Sequence, residues 1–385
     1  MINISFDACL MQGGELFHHL EREDQTDMTT ISTKFLMQLQ RNPQHIVFKV
    51  RNSTGHIESC ERGDLLKTIS GFTQRFYALG VTQGTRVGVL ADCSIEVASV
   101  VMAILSLGAV VVPIPLSVRS SLKRSDCGLT KSLINKNCSS VIVSQDQDAL
   151  RLEQLLDEEF EPIQVFSLEG ENEDVLPLLP AEVEPEFYQR TVFLNDADSA
   201  AFVLWDESDQ VLNHQTLIDA HITHRSQSFS HGDCVWASAD MMYQLGMELL
   251  VGALIGDHTL CFSSDTKSRL KFRPSVVLMS SRELSLLYLG FLEEQGDLLA
   301  MLCRWAFVVA VKADRNRSGG LTSKRIEIQE RLLETVFKRM RDHIFEGVQW
   351  IGLLDEADTE MISWLNGINM STSVCSRILS EAHLH

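Results

Sequence analysis

Leu79-Gly80-Val81-Thr82-Gln83-Gly84-Thr85-Arg86-Val87-Gly88-Val89-Leu90 is the stretch on which the fold turns. Upstream, Leu65, Leu66, Ile69, Phe72, Phe76 and Leu79 recur at helical spacing, so a helix is predicted over 62–79 with Gly80 stopping it. Residues 86–91 then read as a short buried strand. Downstream, 95–116 is almost unbroken in apolar residues and near the ~20 residues a bilayer crossing needs. Glu96 at its start, Gly108 inside it and Pro113 and Pro115 at its end divide it into a buried helix over 95–107 and a buried strand over 109–114. Apolar strands joined by a helix are what a parallel sheet, covered on both faces, requires.

The pattern extends in both directions. A helix over 31–40, an alternating strand over 46–50 and a strand over 57–60 precede it, with Asn52-Ser53-Thr54-Gly55 supplying hairpin turn chemistry. A polar helix over 121–137 and a strand over 140–143 follow. A second series starts at Ala200, with strands over 201–205, 234–237, 259–262, 276–279, 307–311 and 348–353. Helices over 215–226, 244–255, 282–294 and 324–343 alternate with them. The expected organisation is an N-terminal extension over 1–28, a first α/β subdomain over 29–150, an acidic connecting segment over 151–198 and a second α/β subdomain over 199–385.

The chain is 385 residues long, 45% hydrophobic and 22% charged, which excludes collagen-like and wholly disordered classes. Its 33 Lys and Arg against 52 Asp and Glu give −19, a charge that opposes nucleic acid and anionic membranes. Of those acids 14 lie between 152 and 198, where Arg190 is the single base, so that segment reads as a solvated linker. The nine Cys are scattered and never spaced as Cys-x-x-Cys, which suits reduced thiols in a cytoplasmic protein. Cys93, Cys234 and Cys261 sit among apolar residues and are expected to act as small buried hydrophobes. No metal site is expected, because His18, His19, His383 and His385 lack partners at ligand spacing. No basic, apolar leader is visible over 1–10, and no membrane span is expected.

The text from Leu79 to Leu90, followed by Ile95-Glu96 and Ala103 to Ile114, resembles the N-terminal domain of the adenylate-forming superfamily. That superfamily includes acyl-CoA synthetases, luciferases and peptide-synthetase adenylation domains. Looser matches are Leu245-Gly246 with Gly252 to Gly256, Phe272 to Val277, and 324–347, which is similar to fatty acyl-CoA synthetases. The resemblance implies an α/β fold of two doubly wound subdomains with mostly parallel sheets. It further implies ATP, Mg²⁺ and a carboxylic acid as the molecules handled, and a small C-terminal domain with a catalytic lysine, for which these 385 residues hold no counterpart.

The family places a Gly-rich, Lys-containing phosphate loop between a strand and a "Thr-His" helix start. Here Phe202 to Trp205 and Asn213-His214 match the flanks, but Asp206-Glu207-Ser208-Asp209-Gln210 stands between them, without Gly or Lys. Backbone N–H groups and an ammonium are what a triphosphate needs, and three carboxylates repel it. His214 is expected to be a helix-start residue of the scaffold. The adenine segment aligns with 352–357, and the family's "Tyr-Gly-x-Thr-Glu" aligns with 377–381, leaving Ser380 and Glu381 as remnants of its hydroxyl and Mg²⁺ acid.

An acyl or aryl pocket, if kept, falls at Ser238, Met241, Met242, Tyr243, Gln244 and Gly246. The expected protein is therefore a catalytically degenerate, truncated relative that needs no cofactor. It would bind a protein partner or an acyl or aryl ligand. The alternative is an AMP-dependent ligase that activates a carboxylic acid with ATP and Mg²⁺, alone or with a C-terminal domain supplied in trans.

Overall fold

The hydroxyl of Ser94 accepts from the Val97 N–H at 3.2 Å and caps the helix Ile95–Ser106, whose residues from 97 to 106 are all buried. At its other end Gly108 takes φ +68°, a conformation open to glycine without steric cost. The Ala109 N–H returns to the Ile104 carbonyl at 3.2 Å, and the Gly108 carbonyl accepts from Gly84 at 2.9 Å. The apolar stretch thus folds back on itself as helix and strand. Among the described residues no helix is long and apolar enough to cross a membrane.

The computed structural model describes residues 30–51, 56–92, 94–119, 122, 128–159, 163–182, 188, 191–192, 196–205, 210–227, 232–237, 242, 244–262, 269–320, 323–353 and 359–374. In chain order the strands are β1 Ile46–Arg51, β2 Ile57–Glu61, β3 Arg86–Leu90, β4 Val110–Pro113, β5 Cys138–Val143, β6 Gln164–Ser167 and β7 Ala200–Val203. There follow β8 Val211–Asn213, β9 Cys234–Ala237, β10 Thr259–Phe262, β11 Val276–Met279, β12 Trp350–Leu353 and β13 Ser371–Val374. The chain divides into two compact units that are not consecutive in sequence, unlike the expected division at 151–198.

The first unit comprises Met1–Phe48, Ser59–Thr223 and Asp240–Asp257. Its sheet has the order β6-β5-β3-β4-β7-β8, parallel except for the antiparallel pair β7–β8. Gly88 in β3 lies under the helix Gly128–Asn135: a Cβ there would stand 3.2 Å from Ile114 and Val141 and 3.4 Å from Leu133. Of the expected helix over 121–137, the described residues show Leu122 as helical and the helix Gly128–Asn135.

The acidic segment corrects the solvated-linker expectation. It begins in the helix Asp146–Glu159, supplies edge strand β6, and continues through Val175 and Leu178, both buried. The Asp146 carboxylate gathers the next turn, accepting from the N–H groups of Gly170, Glu171 and Asn172 at 2.8–3.0 Å. Further along, the Ala181 N–H donates to the Gly71 carbonyl at 3.0 Å, and a Cβ on Gly71 would meet Pro180 at 2.8 Å. Charge density misled here because the apolar residues that anchor the segment are sparse and the anchoring acid is buried.

The second unit comprises Lys49–Glu58, His224–Ala239 and His258–His385. Its sheet has the order β13-β12-β11-β9-β10-β1-β2, with the run from β13 to β10 parallel. Trp364 is fully buried amid Tyr288, Phe307 and Phe345, with ring centroids 5.1–6.1 Å away.

The strand expected over 307–311 is instead the middle of the helix Asp297–Ser318. Cys303, Ala306, Val309, Ala310 and Ala313 form its buried face, while Leu298, Met301, Trp305 and Val308 are exposed. Apolar residues on both faces hide the helical period, and a short apolar run then reads as a strand. The helix Thr359–Gly367 and strand β13 were not anticipated; the helix packs so closely on its neighbour that a Cβ on Gly367 would stand 2.5 Å from the Ala310 carbonyl oxygen.

Candidate functional site

Leu204 extends β7, and its N–H donates to the Gln210 carbonyl at 3.0 Å, just beyond the Val203–Val211 pair. The hairpin therefore closes over residues 205–209. Asp206, Glu207, Ser208 and Asp209 lie outside the described residues. Gln210 and the half-exposed Trp205 frame the connection.

Below the hairpin stands a residue that sequence reasoning passed over. Lys136 follows the helix Gly128–Asn135; it is 5% exposed, and its Nζ donates to the Leu204 carbonyl at 2.9 Å and sits 5.7 Å from the centre of the Trp205 ring. Its own carbonyl accepts from Arg86 at 2.9 Å. Nothing local signals this role, since Leu204 is 68 positions away.

After β8 the chain turns directly into the helix His214–Gln227. Asn213 caps it, its Oδ1 accepting from the Thr216 N–H at 2.7 Å and the Thr216 hydroxyl at 2.6 Å. His214 is fully buried, and its Nδ1 accepts from the Ile31 N–H at 3.4 Å. Burial pushes its pKa down to about 4, so the ring is neutral at pH 7. These contacts make it a packing residue that pins the helix Ile31–Arg41, as expected of a scaffold position.

Of the acyl-pocket residues expected from the sequence, three are described. Ser238, Met241 and Tyr243 lie outside the described residues. Met242 is buried, and Gln244 opens the helix Gln244–Ile255, in whose first turn Gly246 is buried. The Gln244 amide donates to Glu248 Oε1 at 2.9 Å. Glu248, only 5% exposed, is a buried acid the sequence reading omitted. Its signal was a carboxylate in an otherwise apolar helix, four positions from an amide.

Gly352 and Leu353 of the adenine-segment alignment lie on β12, between β11 and β13, while 354–357 are outside the described residues. Ser380 and Glu381 are outside them too. Among the described residues no group of three or more His, Cys, Asp or Glu could hold a metal ion.

No protein-family model and no curated protein matches this sequence. Solved structures do match in fold. The coronafacic acid ligase from Pectobacterium brasiliense superposes with a TM-score of 0.54 at 14% identity, covering 70% of this chain and 53% of that one. The N-terminal domain of FACL13 from Mycobacterium tuberculosis gives 0.59 at 12%, covering 90% and 75%. A benzoate CoA ligase from Burkholderia xenovorans LB400 gives 0.60 at 13%, covering 90% and 60%. This chain spans about half the length of the coronafacic acid ligase. Its architecture is that of the N-terminal domain of adenylate-forming enzymes.

Proposed function

We propose that this protein uses the adenylate-former scaffold for binding, of a protein partner or of an acyl or aryl carboxylic acid, and does not itself make an acyl-adenylate. One observation carries the proposal: the β7–β8 hairpin is closed at Leu204–Gln210, and the connection it closes holds three carboxylates with no glycine or lysine. A phosphate cradle works through preorganised N–H donors and a nearby cation. The Lys136 ammonium at the base of the hairpin is turned to the Leu204 carbonyl and the Trp205 ring. The negative side chains of Asp206, Glu207 and Asp209 add repulsion. Reduced, scattered thiols and the charge of −19 fit a cytoplasmic setting away from nucleic acid. In this reading no cofactor is needed.

Calorimetric titration with ATP, with and without Mg²⁺, tests the proposal, alongside acid-dependent pyrophosphate exchange. The expected result is no saturation below millimolar nucleotide and no exchange. A thermal-shift panel of fatty and aryl acids reads the binding half: an acid at a hundredfold excess over its Kd adds about 2.7 kcal/mol of stability. If no acid shifts the transition, the acid-binding half of the proposal fails.

The fold neighbours favour a second reading, because two of the three named above are ligases. In it the chain activates a carboxylic acid using ATP and Mg²⁺ and draws its catalytic lysine from elsewhere. Micromolar ATP binding, or exchange that depends on an added acid, would establish that reading and remove the first.

A further inference from the structure

Cys234 opens β9, and Cys261 is the third residue of the neighbouring parallel strand β10. The register pairs Cys261 with Trp236, so Cys234, Trp236 and Cys261 share one face of the sheet and the two cysteines are diagonal neighbours. Their sulfurs stand 3.1 Å apart, roughly 1 Å more than a disulfide bond. Both are free thiols, and they are unequal: Cys261 is 1% exposed, whereas Cys234 is partly open to solvent at the strand end. Cys234 is held in place: its N–H donates to the Ser275 hydroxyl oxygen at 3.0 Å, and its Sγ lies 3.7 Å from the Phe272 carbonyl oxygen.

We infer that Cys234 and Cys261 form a redox modification site that low-molecular-weight disulfides such as oxidised glutathione convert to an intramolecular disulfide. Cys234 is the attacking sulfur. The hydrogen bond from the Cys261 thiol lowers its pKa, with Lys49 acting in the same direction against burial and Asp233, and the same contact raises that of Cys261. The Cys234 thiol loses its proton to solvent, and the thiolate attacks one sulfur of oxidised glutathione. The S–S bond of the reagent breaks, and one glutathione leaves as thiolate and takes up a proton. The Cys261 thiol then gives up its proton and attacks Cys234 Sγ, expelling the second glutathione. Two protein thiols are oxidised to one disulfide, and one glutathione disulfide is reduced to two thiols. The product ties β9 to β10.

The full chain is incubated in glutathione redox buffers, alkylated, digested without reductant and mapped by mass spectrometry. The expected result is a Cys234–Cys261 crosslink whose oxidised fraction follows a single two-electron step, while buried Cys60, Cys138 and Cys303 alkylate only on denaturation. Cys261→Ser should trap glutathione on Cys234, and Cys234→Ser should leave Cys261 unmodified. Thermal unfolding shows that each variant is folded, and Cys261→Ala replaces the serine should that fail. Absence of the crosslink from the native wild-type chain, or equal glutathione capture by Cys261 in Cys234→Ser, overturns the inference.

Discussion

His214 is the residue whose burial has the clearest measurable consequence. The unfolded chain takes up a proton on this ring near pH 6.5, but the folded protein does so only near pH 4. The unfolded state therefore binds more protons in that window, so stability is complete above about pH 6.5 and falls as pH drops toward 4, by an amount on the order of 3 kcal/mol. Urea unfolding at pH 7.5 and 4.5 should show the loss in the wild type and a smaller one in His214→Gln; equal losses would refute the assignment. Asp146 works in the opposite range. Burial opposes its charge, but the Ser167 hydroxyl and the N–H groups of Asn172, Gly170 and Glu171 outweigh that and hold its carboxyl below the ordinary value. Its contribution is present above the unfolded pKa and is lost as pH falls through the lower folded one. Asp146→Ala should cost about 2 kcal/mol at pH 7 and expose the 167–178 segment to protease. Neither residue was legible as an anchor, because the groups that surround each come from distant positions.

At the scale of elements, two glycines separate packing from propensity. Gly367 ends the helix Thr359–Gly367 against Ala310, where an added Cβ would meet backbone atoms at 2.5 and 2.7 Å. Gly367→Ala should therefore destabilise by roughly 1–3 kcal/mol. Gly290 lies in the helix Ser281–Glu293 with nothing within 4 Å of such a Cβ, so Gly290→Ala should add about 0.5–1 kcal/mol. Chemical denaturation of both variants checks the pair, and a stable Gly367→Ala would mean the two helices can separate without cost. The helix Ser281–Glu293 also carries its own start signal: the Ser280 hydroxyl caps Glu283 N–H at 3.2 Å, and the Glu283 carboxylate accepts from Ser280 N–H at 2.9 Å. The helix Asp297–Ser318 lacks a clear apolar stripe, and there the strand expectation failed.

At the scale of the molecule, the proposed failure to bind nucleotide rests on one hairpin in the first unit. Replacing 206–209 with a glycine-rich, lysine-containing loop should leave the Leu204–Gln210 closure intact if the hairpin alone sets that geometry. Such a graft should gain at least a tenfold increase in ATP affinity by calorimetry if the missing N–H groups and cation are what oppose binding. An unchanged affinity would place the deficit elsewhere in the chain.

The order of strands and helices around 79–114 was settled by local chemistry: glycines where φ turns positive, a serine cap, and apolar runs of strand or helix length. The resemblance carried by that text identified the fold, and Asn213-His214 marked a helix start. Tertiary structure alone decided that the acidic segment packs, that Lys136 reaches the hairpin base, and that Cys234 meets Cys261. Those outcomes depend on contacts between residues tens of positions apart, and local periodicity carries no information about which distant groups the closed chain brings within hydrogen-bonding reach.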